Sequence, residues 1–171
     1  LLYHGCVPLK EDGNLKSVRI FGRAYKGKGL YEVLESYVRK GFYAMDPKEK
    51  ERGKDIMWYI WLSENSPLFG KDKMATFERY FLAEKETHKE KKNPYYLLLE
   101  DEKVVGKILK EFGLENEDAH IINGHVPVKC KDGENPVKCG GKVLVIDGGF
   151  SKAYQKETGI AGYTLIYNSY G

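Results

Sequence analysis

Apolar side chains recur at helical spacing through the middle of the chain. Each of three stripes predicts an amphipathic helix that buries one face against a core. The stripes are formed by Leu30, Val33, Leu34, Tyr37 and Val38, by Met74, Phe77 and Phe81, and by Val104, Val105, Ile108, Leu109 and Phe112. Pro47 predicts the start of a further helix, in which Gly53 is a weak point, and Gly113 predicts the cap that ends the last helix. We therefore expect residues 28–113 to be largely helical.

Short apolar runs towards both ends of the chain predict strands. These runs are "LLYHG", "HIINGH", "KVLVIDGG" and "GYTLIYNS". Asp132-Gly133 predicts a hairpin turn between the second and third runs, and "SENSPLFGKDK" predicts an irregular loop between two helices. With strand-rich segments at 1–25 and 118–170 around the helical middle, the predicted fold class is α/β (α+β).

Length and composition narrow the class of protein. The 171 residues fit one domain, and 31% charged against 42% hydrophobic residues is typical of a globular chain. The net charge of +3 is too small to indicate nucleic-acid binding, and no apolar stretch is long enough to predict a membrane span. The chain opens on "LLYHGC", within a predicted strand and without Met. We therefore expect residues 1–171 to be a single partial domain.

The three cysteines are Cys6, Cys130 and Cys139, and they form no C-x-x-C motif. An odd number of scattered cysteines favours free thiols in a cytoplasmic protein. A zinc pair or a hairpin disulfide formed by Cys130 and Cys139 is the alternative.

Three predicted strands end in glycine beside a residue that could carry chemistry. The sites are His4-Gly5, Gly124-His125 and Asp147-Gly148-Gly149. Ligands of layered α/β proteins collect at strand ends, and glycine there would let the backbone turn without strain from a Cβ. Two histidines at equivalent strand ends favour a divalent metal site, although a structural role for each is the alternative. A catalytic centre needs three or more protein ligands, so these residues amount to half a metal site.

Longer blocks of the chain resemble one known family. The blocks "LYHGCVPL", "GKDIMWYIW", "ENSPLFGKDKMATFERYF", "KETHKEKKNPYY", "IINGHVPVK" and "VIDGGFSKAYQKETGIAGYTLIYNSYG" are similar to the class III bacterial fructose-1,6-bisphosphatases. Those enzymes belong to the calcineurin-like binuclear metallophosphatases. The resemblance implies a metallophosphatase-type β-sandwich flanked by helices, and a cytoplasmic enzyme of gluconeogenesis. It also implies manganese as cofactor and removal of the 1-phosphate of fructose 1,6-bisphosphate by a two-metal-ion mechanism.

The same resemblance implies roles for individual residues. His4 and His125 would bind the same ion, whereas Pro127 stands where many metallophosphatases have another histidine ligand. The other ligands and the general acid would come from an N-terminal half of the domain that these residues lack, so that half is an expected partner and the chain alone is expected to be inactive. Residues expected to contact the phosphates or the sugar, unless they are ordinary surface or turn residues, are Lys71, Lys73, Asn65, Ser66, Arg79, Lys152 and Tyr154.

Two other functions stay open. Exposed sheet edges and the helical middle would suit a non-catalytic binding or assembly module, including a homo-oligomer. The second is a phosphoprotein phosphatase, against which the blocks "ENSPLFGKDK" and "KETHKEKKNPYY" argue.

Overall fold

The computed structural model describes residues 1–168, which form a mixed α/β fold. The strands are β1 (Leu2–Tyr3), β2 (Val18–Ile20), β3 (Arg23–Tyr25), β4 (Ile121–Asn123), β5 (Val137–Lys138) and β6 (Val143–Val145). The α-helices are α1 (Gly27–Tyr43), α2 (Pro47–Leu62), α3 (Thr76–Phe81), α4 (Glu102–Glu111) and α5 (Lys152–Thr158), and shorter 3-10 helices lie at Lys85–His88, Pro94–Leu97, Cys130–Asp132 and Cys139–Gly141. The chain divides into two compact units. Unit 1 comprises Leu1–Gly5 and the chain from Leu99 onward, and unit 2 comprises Cys6–Leu98.

Unit 1 is built on a four-stranded sheet in the order β1-β4-β6-β5. Strands β1, β4 and β6 run parallel, and β5 pairs antiparallel with β6. The predicted α4 buries its apolar stripe, and the Asp101 carboxylate caps its first turn. Gly113 follows α4 with a φ of 78°, as the predicted helix cap requires. The predicted α/β class is thereby confirmed.

Asn123, the last residue of β4, is a buried polar side chain at the end of this sheet. It is 1% exposed, and its amide Nδ2 lies 3.3, 3.1 and 2.7 Å from the carbonyl oxygens of Tyr3, His4 and Gly5. The two amide hydrogens can serve only two of these carbonyls well at one time, and the shortest distance is to Gly5. Asn123 therefore ties the end of β1, and the backbone around His4, to β4.

Unit 2 contains the antiparallel hairpin of β2 and β3 and a helical hairpin of α1 and α2. Its apolar core consists of Val18, Ile20, Leu30, Leu34 and Ile56. The α2 helix begins at Pro47 as predicted, and the Asp46 side chain caps it by accepting a hydrogen bond from the Lys48 N–H.

Gly53 is the point at which α2 touches α1. A Cβ atom on Gly53 would lie 2.6 Å from the Cα of Gly41, and a Cβ atom on Gly41 would lie 2.5 Å from the Cα of Gly53. Neither helix has room for a side chain at this position, so the paired glycines allow the two backbones to meet. The sequence indicated Gly53 only as a weak point of α2, and the structure adds that its missing side chain allows a helix contact.

Two predictions about the strand-rich end of the chain are wrong. Asp132 ends a 3-10 helix closed by Gly133 at φ 77°, and the hairpin of β5 and β6 turns instead at Cys139–Gly141. No strand forms over residues 163–168; Gly162 makes one antiparallel bridge with Asp147. Because β4 and β5 already flank β6 on both sides, this segment cannot add to β6 as a further strand. Ser169, the last residue of the predicted strand, lies outside the described residues.

The apolar stripe around α3 does not bury a face in the described structure. Phe77 and Phe81 are 73% and 78% exposed, and their rings stack on each other with centroids 6.3 Å apart. The helix itself is confirmed, but it has only six residues. Helical spacing therefore predicted the local conformation correctly and the burial incorrectly.

All three cysteines are free thiols, with Cys130 exposed and Cys6 and Cys139 buried. Cys130 and Cys139 thus do not form the alternative disulfide. Burial raises the pKa of the Cys6 thiol to about 12. No helix within residues 1–168 has both the length and the apolar composition needed to cross a bilayer.

We expect Gly53→Ala to destabilise unit 2 by about 1–3 kcal/mol, because the new methyl group would overlap the backbone of α1. Gly29→Ala is the matched control, since a Cβ there would meet no atom within 4 Å. Urea denaturation followed by far-UV circular dichroism measures both free energies of unfolding. Equal stability of the two variants would contradict the helix contact.

We expect Asn123→Ala to destabilise unit 1 by about 1–3 kcal/mol, because carbonyl groups at the end of β1 lose their buried donor. The control is Asn116→Ala, at an exposed position. The same denaturation experiment gives the stabilities, and NMR spectra of the histidine rings report whether His4 has shifted. A wild-type stability together with unchanged His4 signals would show that Asn123 does not hold this strand end.

Candidate metal centre

His4 and His125 lie side by side in unit 1. Each follows the carboxyl end of a strand, and because β1 and β4 are parallel neighbours, both ends meet at the same edge of the sheet. The Nε2 atom of His4 is 3.0 Å from the Nδ1 atom of His125, and the rings meet edge to face with centroids 4.8 Å apart. The structure thus brings together the two histidines that the sequence singled out.

The backbone at His125 is strained. The N–H of Val126 donates to the carbonyl of Gly124 at 2.9 Å, which closes a three-residue turn around His125 with its φ at 72°. Turns of this kind are rare, and residues other than glycine in the left-handed region cluster at functional sites. The turn directs the imidazole of His125 towards His4.

The predicted role of the glycines at these strand ends is wrong. Neither Gly5 nor Gly124 has a positive φ, and a Cβ on Gly124 would be 3.6 Å from Nδ1 of His4, which is an ordinary contact. The left-handed conformation belongs to His125 itself. The residue in the left-handed region is therefore a histidine and not a glycine, so the turn has a conformational cost that glycine would avoid.

The histidine pair fits two ligands of one divalent ion. Nitrogen ligands about 2.1 Å from an ion, at neighbouring octahedral positions, are about 3 Å apart, which matches the observed separation of 3.0 Å. Across residues 1–168, no cluster of three or more His, Cys, Asp or Glu side chains is placed to hold a metal. Pro127 offers no donor side chain. The described residues therefore bring together two candidate ligands and no complete site.

Asp147, at the end of the third predicted strand, has a local role. Its carboxylate accepts a hydrogen bond from the Gly149 N–H at 2.9 Å, and Gly149 has a φ of 80°. Gly148 approaches the backbone of Gly162 so closely that a Cβ would lie 2.8 Å from its nitrogen. Asp147 thus shapes the glycine turn that leads into α5.

Two of the predicted phosphate-binding cations share one carboxylate in unit 2. Lys71 Nζ lies 2.7 Å from Glu90 Oε2, and the guanidinium of Arg79 lies 3.6 Å from Glu90 Oε1. Lys73 instead donates to the carbonyl of Thr87 at 2.6 Å. All three cations therefore have protein partners in this structure.

Glu90 was not indicated by the sequence, because it is one acid within a mixed charged run. Burial raises the pKa of its carboxyl, but hydrogen bonds from Lys71 and the Ala75 N–H, with the charges of Lys71 and Arg79, outweigh burial and hold the pKa below its usual range. The ionised Glu90 neutralises part of the positive charge that Lys71 and Arg79 would offer to a phosphate.

The neighbouring candidates Asn65 and Ser66 differ in accessibility. Ser66 is fully buried; its hydroxyl donates to the carbonyl of Ile60 at 2.5 Å and accepts from the Leu68 N–H at 3.1 Å. In this structure Ser66 therefore stabilises its own loop. Asn65 is half-buried and donates through Nδ2 to Glu64 at 3.2 Å, while its buried Oδ1 has no hydrogen-bond partner among the described residues.

The remaining candidates, Lys152 and Tyr154, lie on α5 in unit 1. Both side chains are exposed, and Tyr154 borders Gly149, where a Cβ would meet the Tyr154 Cβ at 3.0 Å. Their proposed contact with a substrate stays a prediction.

Comparison with known proteins identifies the family of the chain. A family described as Firmicute fructose-1,6-bisphosphatase matches residues 1–171. A Clostridium botulinum (strain Hall) protein named "Fructose-1,6-bisphosphatase class 3" is 61% identical over 172 residues, which cover 100% of this chain and 26% of the relative. A Clostridioides difficile (strain 630) protein of the same name is 62% identical over 170 residues, which cover 99% of this chain and 26% of the relative.

No solved structure matches the chain. The chain spans about a quarter of the length of the curated relatives that it matches. The match nevertheless extends over every residue of the sequence, and it agrees with the resemblance carried by the blocks around His4 and His125. This chain belongs to the Firmicute fructose-1,6-bisphosphatase family.

Proposed function

We propose that this chain supplies part of the active site of a cytoplasmic enzyme that hydrolyses the 1-phosphate of fructose 1,6-bisphosphate in gluconeogenesis. Family membership supports the reaction, and the relatives carry this activity in their names. The observation that carries the proposal is the pair of histidines 3.0 Å apart at neighbouring strand ends. A metallophosphatase-type β-sandwich, of which the sheet of unit 1 would be one part, belongs to the same proposal.

His4 and His125 would bind one manganese ion of a binuclear centre, through Nε2 and Nδ1 respectively. When bound, the two ions would neutralise the phosphate charge and activate water for attack on phosphorus. The protein contributes orientation: Asn123 fixes the backbone of His4, and the strained turn fixes the ring of His125. Support of this kind for metal ligands commonly affects metal affinity as well as activity.

The other ligands and the general acid are proposed to come from the part of the family protein outside this chain. Two lines of support exist: the described residues supply only two ligands, and the chain spans 26% of its relatives. Lys71, Lys73 and Arg79 would then bind phosphate oxygens. Because Lys71 and Arg79 both contact Glu90, binding by either would compete with that carboxylate. Asn65, Ser66, Lys152 and Tyr154 would border the sugar.

A second function, assembly with another chain, is favoured by one surface of unit 2. A groove of about 530 Å³ along α1 and α2 is lined by apolar residues that include Phe42, Trp58 and Trp61. These three side chains are 78%, 69% and 68% exposed. Exposed apolar patches of this kind mark interaction sites. Size-exclusion chromatography together with metal analysis would support a mere assembly role if the chain were a dimer that binds no manganese.

The metal site can be tested on this chain alone. We expect manganese titration, followed by electron paramagnetic resonance of the free ion, to show one weak site. His4→Ala and His125→Ala should each weaken binding at least about tenfold, because each removes one of two ligands. His120→Ala is the control, since His120 is exposed and its Nδ1 lies 2.6 Å from the carbonyl of Asp118. Equal binding by all three variants would reject the proposed ligands.

The reaction can be tested in a chimera that carries this chain in place of the matching segment of the Clostridium botulinum relative. We expect this chain alone with manganese to release no phosphate from fructose 1,6-bisphosphate, and the chimera to be active. His125→Ala in the chimera should lower kcat/KM at least about 100-fold, whereas His120→Ala should leave it near the parent value. Full activity of this chain alone would overturn the partial-site proposal.

A further inference from the structure

The second half of α2 is apolar on all sides, although only one side of it packs in unit 2. Residues 56–62 read "IMWYIWL", with an apolar or aromatic side chain at every position. Ile56 is buried in the core of unit 2, whereas Met57, Trp58 and Trp61 are each more than half exposed. A helix that is apolar all round is normally buried all round. The sequence of α2 therefore predicts a second packing surface, opposite the one that α1 and the core cover.

The exposed side of α2 forms one wall of the groove of about 530 Å³ between α1 and α2. Its lining positions on α2 are 50, 53, 54, 57, 58 and 61, which is the spacing of a single helix face. At 1.5 Å per residue this face is about 16 Å long, or three helical turns. Gly41 and Gly53 also line the groove and have no side chains to fill it. A third helix of about three turns would fit between the two helices.

The apolar patch around this groove has the area of a protein interface. Tyr43 extends the patch, because its ring contacts that of Phe42 edge to face with centroids 5.0 Å apart. With Met57, Trp58 and Trp61, these side chains expose roughly 600–700 Å², if a fully exposed aromatic side chain has about 150–250 Å². The largest apolar patch of a typical monomer is about 300–600 Å², and a stable interface buries about 800 Å² per partner. The patch is therefore large enough to form the apolar part of a stable interface.

The charges around the groove indicate the chemistry of its occupant. The charged residues that line it are Lys50 and Lys54, and both side chains are exposed. Glu51 lies 3.9 Å from Lys54, but an exposed pair at this distance contributes little. An occupant with carboxylates beside its apolar face would complement the two lysines. A second copy fits less well, because a two-fold interface would place the same lysine-lined surface on both sides.

We infer that an amphipathic, acidic helix from the rest of the family protein occupies this groove. This chain spans 26% of the relatives that it matches, so most of the length of each relative is available to supply the helix. Its apolar side chains would cover the indole rings of Trp58 and Trp61, and its carboxylates would pair with Lys50 and Lys54. The inference rests on the assembly role proposed above for this groove and names the partner. It is independent of the hydrolysis reaction and of the metal centre.

Oxidation of the tryptophans by hydroxyl radicals, measured by mass spectrometry, reports whether the groove is occupied. Trp58 and Trp61 are the only tryptophans of this chain, and their peptide identifies them within a longer protein. The samples are this chain alone and the chimera that carries it in the Clostridium botulinum relative. We expect both tryptophans to be oxidised at least about fivefold more slowly in the chimera, because a docked helix excludes water from the indole rings. This protection should not depend on protein concentration.

Charge reversal tests the acidic character of the helix. In the chimera, Lys50→Glu combined with Lys54→Glu should restore most of the oxidation rate of this chain alone, because the new carboxylates would repel those of the helix. Lys48→Glu is the matched control, since it makes the same kind of change on α2 at a position outside the groove lining. All three lysines are exposed, so these variants test docking rather than folding.

Three results would overturn the inference. Equal oxidation rates in the chimera and in this chain would show that the rest of the protein leaves the groove open. Protection of this chain alone that increases with its concentration would assign the groove to a second copy. Full protection in the variant with Lys50→Glu and Lys54→Glu would reject an acidic partner. An inactive chimera with protected tryptophans would instead reject the hydrolysis proposal and support the docked helix.

Discussion

The parallel pairing of β1 with β4 is the interaction on which the candidate metal centre depends. In this register Tyr3 lies opposite Asn123, so two strand ends that are far apart in the chain finish at the same edge of the sheet. A shift of one residue would turn the side chains of β1 to the opposite faces. Asn123 secures the register because its buried amide bonds to carbonyls at the end of β1. A single side chain thus stabilises the sheet and positions His4.

The conformation of His125 depends on this pairing in turn. A left-handed residue with a Cβ is unfavourable by itself and persists only where the surrounding structure holds it. Here β4 leads directly into the turn, and β4 is held between β1 and β6. The sheet therefore supplies the stability that the strained turn lacks. The result is a pair of imidazoles at a separation that suits neighbouring ligands of one ion.

In unit 2 the decisive groups are neutral or acidic, although the sequence there is conspicuous for its lysines. The Glu90 carboxylate contacts both Lys71 and Arg79. The Oδ1 atom of Asn93 accepts hydrogen bonds from the backbone N–H groups of Leu9 and Tyr95. Some lysines of unit 2, such as Lys71, are therefore already neutralised by an ion pair, and others are not. The distinction matters for anion binding, because a lysine in an ion pair must lose that partner before it binds another anion.

The sequence by itself determined the helices α1 to α4, the family and the two histidines, because each of these depends on local patterns, whereas α5 lies in a segment predicted to be rich in strands. Apolar spacing and helix-end residues such as Pro47 and Gly113 act within a few residues, so α1, α2 and α4 were predictable. Tertiary structure decided which apolar faces are buried, where the β5-β6 hairpin turns, and that Gly53 is a helix contact. It also decided that His4 and His125 are adjacent and that Asn123 supports them. Those features depend on pairing between distant segments, and the pattern of one segment carries no information about which partner it will meet.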